Sequence, residues 1–291
     1  MQHTIKLTIF LSCLCALSVG LDNGRISQDD FCYEDEDCGP NSVDWKDQCK
    51  TGTRQSPINL PHVPHFQRTR RVDLDFNEYY CSDEFWITDT GHTIRVTLEP
   101  EATSLGKMYG YEFSYPYIFA EIHFHWGYGS NNGSEHAIDN EYFAMEAHLV
   151  HYDAKYDNYT AAVNSGDPKG VAVVAVFIAE GSDLSYNSGF DTIATNIPKI
   201  GRNATHIRQR IDLSTFLPER GEYFYRYYGS LTTPDCNEVV EWTVVKNPIR
   251  VSPSLIQKFR NVKKSRTRRI GENVRPIQER GERIVKYLAK K

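Results

Sequence analysis

Short runs rich in β-branched and aromatic residues, each closed off by turn-forming residues, recur along this chain from about Arg70 onward. Thr93–Leu98, Tyr117–His125, Tyr142–Tyr152, Val171–Ala179, Glu222–Tyr228 and Glu238–Val245 are the clearest. At these lengths they read as strands, and 18 tyrosines in 291 residues favour the same reading. The run 171–179 is apolar on both faces, as a central strand is. Helical periodicity is confined to Asp191–Lys199 and Ser252–Val262, the latter opening with Ser252 as a cap and Pro253 in its first turn. No repeat and no long linker divides the chain, which is long enough to bury one large core. The expected fold is mainly β: a large twisted, mostly antiparallel central sheet with short peripheral helices.

The first twenty residues have the pattern of a secretory signal: Lys6, an apolar run Thr8–Val19, and small residues at Ser18-Val19-Gly20. The run is short for a bilayer, and acidic residues from Asp22 replace the basic flank of an anchored helix. Residues 1–20 are therefore assigned to a signal peptide, 21–285 to one domain and 286–291 to a basic C-terminal tail. No later segment is long and apolar enough for a membrane span, and Lys290-Lys291 argues against a lipid-anchor tail. A secreted, extracellular protein without a membrane anchor is expected. Removal of Cys13 and Cys15 with the signal leaves Cys32, Cys38, Cys49, Cys81 and Cys236, an odd set with at least one thiol free or available for an intermolecular bridge. Sequons at Asn132, Asn158 and Asn203 mark candidate glycosylation sites. The net charge of −5 combines an acidic Asp22–Asp47 with a basic Lys258–Lys291. In an acidic secreted chain this basic stretch is paired or solvated rather than a nucleic-acid surface.

The densest chemistry lies in Glu121-Ile-His-Phe-His-Trp-Gly127 and Met145-Glu-Ala-His-Leu-Val-His151. Residues two apart on a strand share a face, so Glu121, His123 and His125 lie together, with Ile122, Phe124 and Trp126 behind them. Glu146, His148 and Val150 share a face of the second run. If the two strands pair antiparallel, three imidazoles converge. Zinc accepts neutral imidazole, and catalytic zinc sites keep three protein ligands and a fourth position for water. The adjacent carboxylates Glu121 and Glu146 suit the outer nitrogens of such ligands. His-x-His alone is commonly polar decoration on a strand; the second His beside a carboxylate brings the metal reading level with that one, and a zinc hydrolase stays open at this point.

The chain resembles the alpha-class carbonic anhydrases over almost its whole mature length. The matching segments, in the family's order, are Arg54-Gln-Ser-Pro-Ile-Asn59, Thr90-Gly-His-Thr93, His123-Phe-His-Trp-Gly127, Gly133-Ser-Glu-His136, Glu146-Ala-His-Leu-Val-His151 and Gly229-Ser-Leu-Thr-Thr-Pro234. The resemblance implies a zinc-dependent lyase, a carbonate dehydratase that reversibly hydrates carbon dioxide to bicarbonate and a proton by zinc-bound hydroxide. It implies Zn2+ on His123, His125 and His148. Thr232 would accept a hydrogen bond from the hydroxide and pass its own proton to Glu135, and Thr233 would help place bicarbonate. Val150, Val173, Leu231 and Trp242 would form the apolar wall receiving carbon dioxide. Zinc lowers the pKa of its water to about 7, a magnitude known from this family itself rather than derived from these residues. His92 matches the proton shuttle, and an unperturbed histidine titrates near 6.5. Sulfonamides and anions are the expected inhibitors. His136 and His151 fall in matched motifs and are assigned packing and hydrogen-bonding roles.

Three further points come with the resemblance. Cys49 and Cys236 match the disulfide of secreted members. Glu121 stands where many relatives carry an amide, which adds negative charge near the metal. Asp235 replaces the second proline of the usual Thr-Thr-Pro-Pro stretch and puts the geometry of that loop in question, while Ser56-Pro57 fits a family turn where a cis bond is plausible. The main alternative function is an acatalytic extracellular binding or matrix module on the same scaffold. Retention of all three histidines with Thr232 and Glu135 speaks against it, and ester hydrolysis is expected only as a side activity.

Overall fold

The computed structural model describes residues 31–33, 38–42, 45–64, 69–79, 85–98, 106–200, 205–207, 209–263 and 270–291. The signal-like segment, Cys81 and the Asn203 sequon lie outside them. In chain order the strands are β1 Asn59–Leu60, β2 Arg70–Val72, β3 Leu74–Asn77, β4 Phe85–Asp89, β5 Ile94–Leu98, β6 Lys107–Gly110 and β7 Tyr117–Trp126. They continue with β8 Ala137–Ile138, β9 Met145–Asp153, β10 Val171–Glu180, β11 Thr205–Ile207, β12 Tyr223–Gly229, β13 Val240–Val251 and β14 Lys286–Lys290. Twelve of them form one mixed sheet in the order β11-β4-β5-β7-β9-β10-β13-β12-β14-β2, with β6 on β7 and β3 on β6; β1 and β8 make a separate parallel pair. Within the large sheet only β10–β13 and β14–β2 are parallel, so the mostly antiparallel, mainly β expectation agrees with the fold.

The alternation on β7 divides the interior. Ile122, Phe124 and Trp126 are fully buried in one hydrophobic cluster. Burying a side chain of this size contributes about 1.5–3 kcal/mol. A register irregularity between Phe119 and Glu121 lets Phe119 share that face with Ile122 although their spacing is odd. Helices α3 Ser188–Asn196 and α4 Pro253–Arg260 cover this face through Phe190, Ile193, Leu255, Ile256 and Phe259. α3 starts before the expected Asp191 because the Asn187 side chain caps it, accepting from the Phe190 N–H; Ile197–Lys199 continues as a 3-10 turn. α1 Gln48–Thr51 and α2 Tyr159–Asn164 have no periodic signal to announce them. The exposed sequon residue Asn158 caps α2, its Oδ1 accepting from Ala161 N at 2.9 Å. Asn132 is exposed as well.

The assignment of 286–291 to a basic tail needs correction. Lys286–Lys290 is β14, antiparallel to β12 and parallel to β2, with Leu288 and Ala289 buried. The lysines obscured it. Their stems lie along the surface while the ammonium groups reach Glu112 (2.9 Å from Lys286), Pro218 O (3.0 Å from Lys290) and Asp73 (2.7 Å from Lys291).

Candidate active site

Antiparallel pairing of β7 and β9 sets His123 directly opposite His148 and His125 opposite Glu146. The three imidazoles converge: ring centroids are 5.2 Å apart for His123–His125 and His123–His148, and 4.6 Å for His125–His148. One nitrogen from each lies within 4.8 Å of the others. The remaining nitrogens are held from outside. His123 Nδ1–H donates to Glu121 Oε1 (2.9 Å), His125 Nδ1–H to the Asn273 carbonyl (2.7 Å) and His148 Nε2–H to Glu146 Oε1 (2.7 Å). That fixes the tautomers and leaves His123 Nε2, His125 Nε2 and His148 Nδ1 turned toward one another. Among the described residues, buried His125 Nε2 has no hydrogen-bond partner, an expensive arrangement unless something electropositive sits there.

Electrostatics agree with a cation site. Burial, with the neighbouring histidines adding to it, holds His125 well below the ordinary imidazole range, and burial brings His148 down to about 4. Both are therefore neutral at pH 7, the form that ligates metal. Burial pushes Glu146 up, but His136 and His148 outweigh it and keep the carboxylate well below its usual range. Three imidazole donors with buried, oriented outer nitrogens fit a divalent borderline metal, zinc first among them.

Glu135 is buried beside this centre. Burial raises its carboxyl well above the usual range, with Glu146 adding to the rise; the Thr232 side chain and the Arg275 backbone N–H pull it back. That N–H donates to Glu135 Oε1 at 2.9 Å. A cavity of about 230 Å³ opens over the histidines and is also lined by His92, Val150, Val173, Leu231, Thr232, Thr233 and Trp242. Strand register explains the apolar side: Val150 pairs with Val173 on β10, and Val173 with Trp242 on β13. Every residue expected from the sequence to touch metal or substrate thus lies on one cavity. Glu121 lines it too, whereas Glu146 supports it from behind.

The loop carrying Thr232 is fixed from two directions. Ser56 N donates to Ser230 Oγ (3.0 Å), and Cys49 is joined to Cys236. Within the loop, Leu231 N donates to Asn237 O and Cys236 N to Thr233 O. Ser56–Pro57 is cis, and so is Pro234–Asp235; Asp235 itself is exposed. Cys32 pairs with Cys38. His136 donates to Glu146 and accepts from Tyr227 (2.7 Å each), while His151 meets Tyr79 OH and the Ala172 carbonyl. Neither belongs to the three-imidazole centre.

Several residues of the site carry no local signal in the sequence. Asn273, besides holding His125, accepts from Trp126 N and donates to the His92 and Phe124 carbonyls. The Arg275 guanidinium donates to Gln55 Oε1 and Ser56 O. Phe31 stacks on His92, ring centroids 4.2 Å apart and planes within 9°, and Tyr33 lines the same cavity. Arg95 also lines it and reaches Glu121 Oε2 at 3.7 Å.

Comparison with known proteins bears on these residues as a set. The profile of a family described as eukaryotic-type carbonic anhydrase matches residues 38–289. The chain is 33% identical over 240 residues to carbonic anhydrase 6 of Bos taurus, covering 80% of this chain and 72% of that protein. It is 32% identical over 266 residues to carbonic anhydrase 4 of Mus musculus, covering 88% and 83% respectively.

Proposed function

Because the chain belongs to the eukaryotic-type carbonic anhydrase family, we propose that it is a working zinc enzyme that reversibly hydrates carbon dioxide to bicarbonate and a proton. The observation that carries this reading is the convergence of His123, His125 and His148, with each outer nitrogen bonded and the inner His125 Nε2 lacking a partner. Zinc held there supplies the Lewis acidity that makes water nucleophilic at neutral pH. The chain's own residues do the rest. Val150, Val173, Leu231 and Trp242 offer a small, uncharged substrate an apolar seat. Thr232, between that seat and Glu135, orients the attacking oxygen by accepting its proton in a hydrogen bond and donating its own to the Glu135 carboxylate. Thr233 receives the product anion. His92, across the cavity, takes the released proton toward solvent. An anion-accepting metal position beside an apolar wall also suits sulfonamide inhibitors.

Secretion belongs to the same proposal. The signal-like segment supports it, as do the Cys32–Cys38 and Cys49–Cys236 bridges, which persist in oxidising compartments. Asn132 and Asn158 are exposed sequon residues and are proposed as glycan acceptors.

Stopped-flow carbon dioxide hydration by the zinc-loaded protein, by the same sample after chelation and by His148→Ala tests the assignment. We expect turnover to vanish on chelation, to return with zinc, and to be absent in His148→Ala together with stoichiometric zinc. Turnover that survives both treatments would sink the proposal, and ester cleavage exceeding hydration in the loaded sample would favour an esterase.

A further inference from the structure

His92 is half-buried on the cavity wall, next to the entry segment. Its backbone is firmly fixed. Thr90 N–H donates to the Thr93 carbonyl (3.0 Å), Gly91 N–H to Asp89 Oδ1 (2.9 Å), and the His92 carbonyl accepts from Asn273 Nδ2 (2.9 Å). Those bonds do not set the plane of the ring. The χ2 torsion of histidine is broad and two-fold rather than staggered, so packing decides how the imidazole is turned. Phe31 supplies the packing face: its ring is parallel to the imidazole within 9°, with centroids 4.2 Å apart. Stacking of this kind covers a face of the ring and leaves the hydrogen bonding of the nitrogens, which lies in the ring plane, undisturbed.

Phe31 is itself held by a short covalent loop. The next residue, Cys32, is 3% exposed and tied at three points. Its Sγ is bonded to Cys38, its N–H donates to the Cys38 carbonyl (2.8 Å), and its own carbonyl accepts from the Trp45 indole N–H (3.1 Å). Fully buried Trp45 meets Phe31 edge-on at 5.4 Å and Tyr33 at 5.7 Å between centroids, and Phe31 meets Tyr33 at 5.5 Å. The aromatic group and the bridge thus form one mounting, with the exposed side of Phe31 turned to His92.

We infer that Phe31 is a positioning residue for His92 and that the Cys32–Cys38 bridge holds it against the imidazole. Loss of either the phenyl ring or the bridge then slows proton export, while the interconversion of carbon dioxide and bicarbonate proceeds unchanged. With His92 as the carrier of the released proton, the reading on which this inference rests, the argument is one of alignment. An imidazole free to turn about χ2 spends less time where a nitrogen can accept from cavity water and release toward solvent, and transfer falls with that fraction. The three zinc-site histidines, Thr232 and Glu135 act without Phe31.

Stopped-flow hydration by the zinc-loaded full chain, in dilute buffer and again in concentrated imidazole buffer, compares the parent with four variants. Phe31→Leu keeps apolar bulk but loses the stack, and Cys32→Ser/Cys38→Ser opens the loop. Each should lower kcat in dilute buffer about threefold or more, leave kcat/KM unchanged, and recover in imidazole, which carries the proton itself. Phe31→Tyr, which keeps an aromatic face, should match the parent. Added to His92→Ala, neither change should lower kcat further. Proton NMR gives a readout independent of turnover. The His92 ring signals, identified by their loss in His92→Ala, should lie upfield in the parent and move downfield in Phe31→Leu and in the cysteine double variant. Unchanged kcat in His92→Ala would overturn the proton-carrier reading and this inference with it. A fall in His92→Ala with none in Phe31→Leu or in the cysteine double variant would overturn the inference alone. So would an equal fall in kcat/KM, no recovery in imidazole, or His92 signals that stay in place.

Discussion

Glu121 is the carboxylate that holds the outer nitrogen of His123. Burial pushes its carboxyl up, but the hydrogen bond and charge of His123 and the charge of Arg95 prevail and keep it below the usual range. It is therefore an anion at neutral pH, one imidazole away from the proposed metal position, and it would disfavour ionisation of water bound there. The pH–rate profile of zinc-loaded Glu121→Gln should have its midpoint lower than that of the parent, by up to about one pH unit; no displacement, or an upward one, contradicts this. His151 governs a different pH effect. Burial lowers it to about 4, against backbone contacts to Ala172 and Leu149 that raise it, while in the unfolded chain it titrates near 6.5. Above pH 6.5 the ring is neutral in both states, and its contribution to stability is fully present. As pH falls toward 4 the unfolded chain takes up a proton that the buried ring refuses, and that contribution is lost. Urea denaturation across this window should show a pH slope up to about 1.4 kcal/mol per unit shallower in His151→Gln than in the parent.

Strands and loops differ in how openly the sequence declares them. β7 and β9 could be read directly because period-two alternation is a local property: His123 and His125 must share a face, and so must Glu146 and His148. The antiparallel pairing that joins them needs only the eighteen-residue connection from Gly127 to Ala144 to close locally. Asn273 and Arg275 escaped because they lie in an irregular stretch whose partners, His125 and Glu135, are remote in sequence, and no periodicity marks such contacts. The Cys49–Cys236 bridge came from family resemblance rather than spacing. It closes a separation of 187 residues and anchors the loop that holds Thr232. Replacing both cysteines by serine should cost up to about 5 kcal/mol in the chain-entropy account and lower turnover under conditions where both proteins stay folded. Denaturant melts and steady-state rates would check it, and loss of stability with unchanged turnover would limit the bridge to a structural role.

At the level of the whole molecule, β14 joins the edge strand β2 to the rest of the sheet. It lies between β12 and β2, and its Leu288 is 4% exposed. Deleting residues 286–291 should destabilise the protein by at least about 3 kcal/mol, the scale of losing one buried leucine, and lower zinc-loaded activity with it; thermal and urea melts would show the loss. A dispensable tail would leave both unchanged. The lysine-rich composition of this segment concealed its role because five residues are too few for alternation to stand out from charge. The parallel neighbour of β14 also has a temporal meaning. Arg70, Arg71 and Val72 pair with Leu288, Ala289 and Lys290 and, among the described residues, with no other strand, so during synthesis this early-made segment waits without a strand partner until the ribosome has added residue 288. Nascent chains of this protein therefore carry a strand segment without its neighbour from the synthesis of Val72 to that of Leu288, exposed over that interval to chaperones and to mispairing.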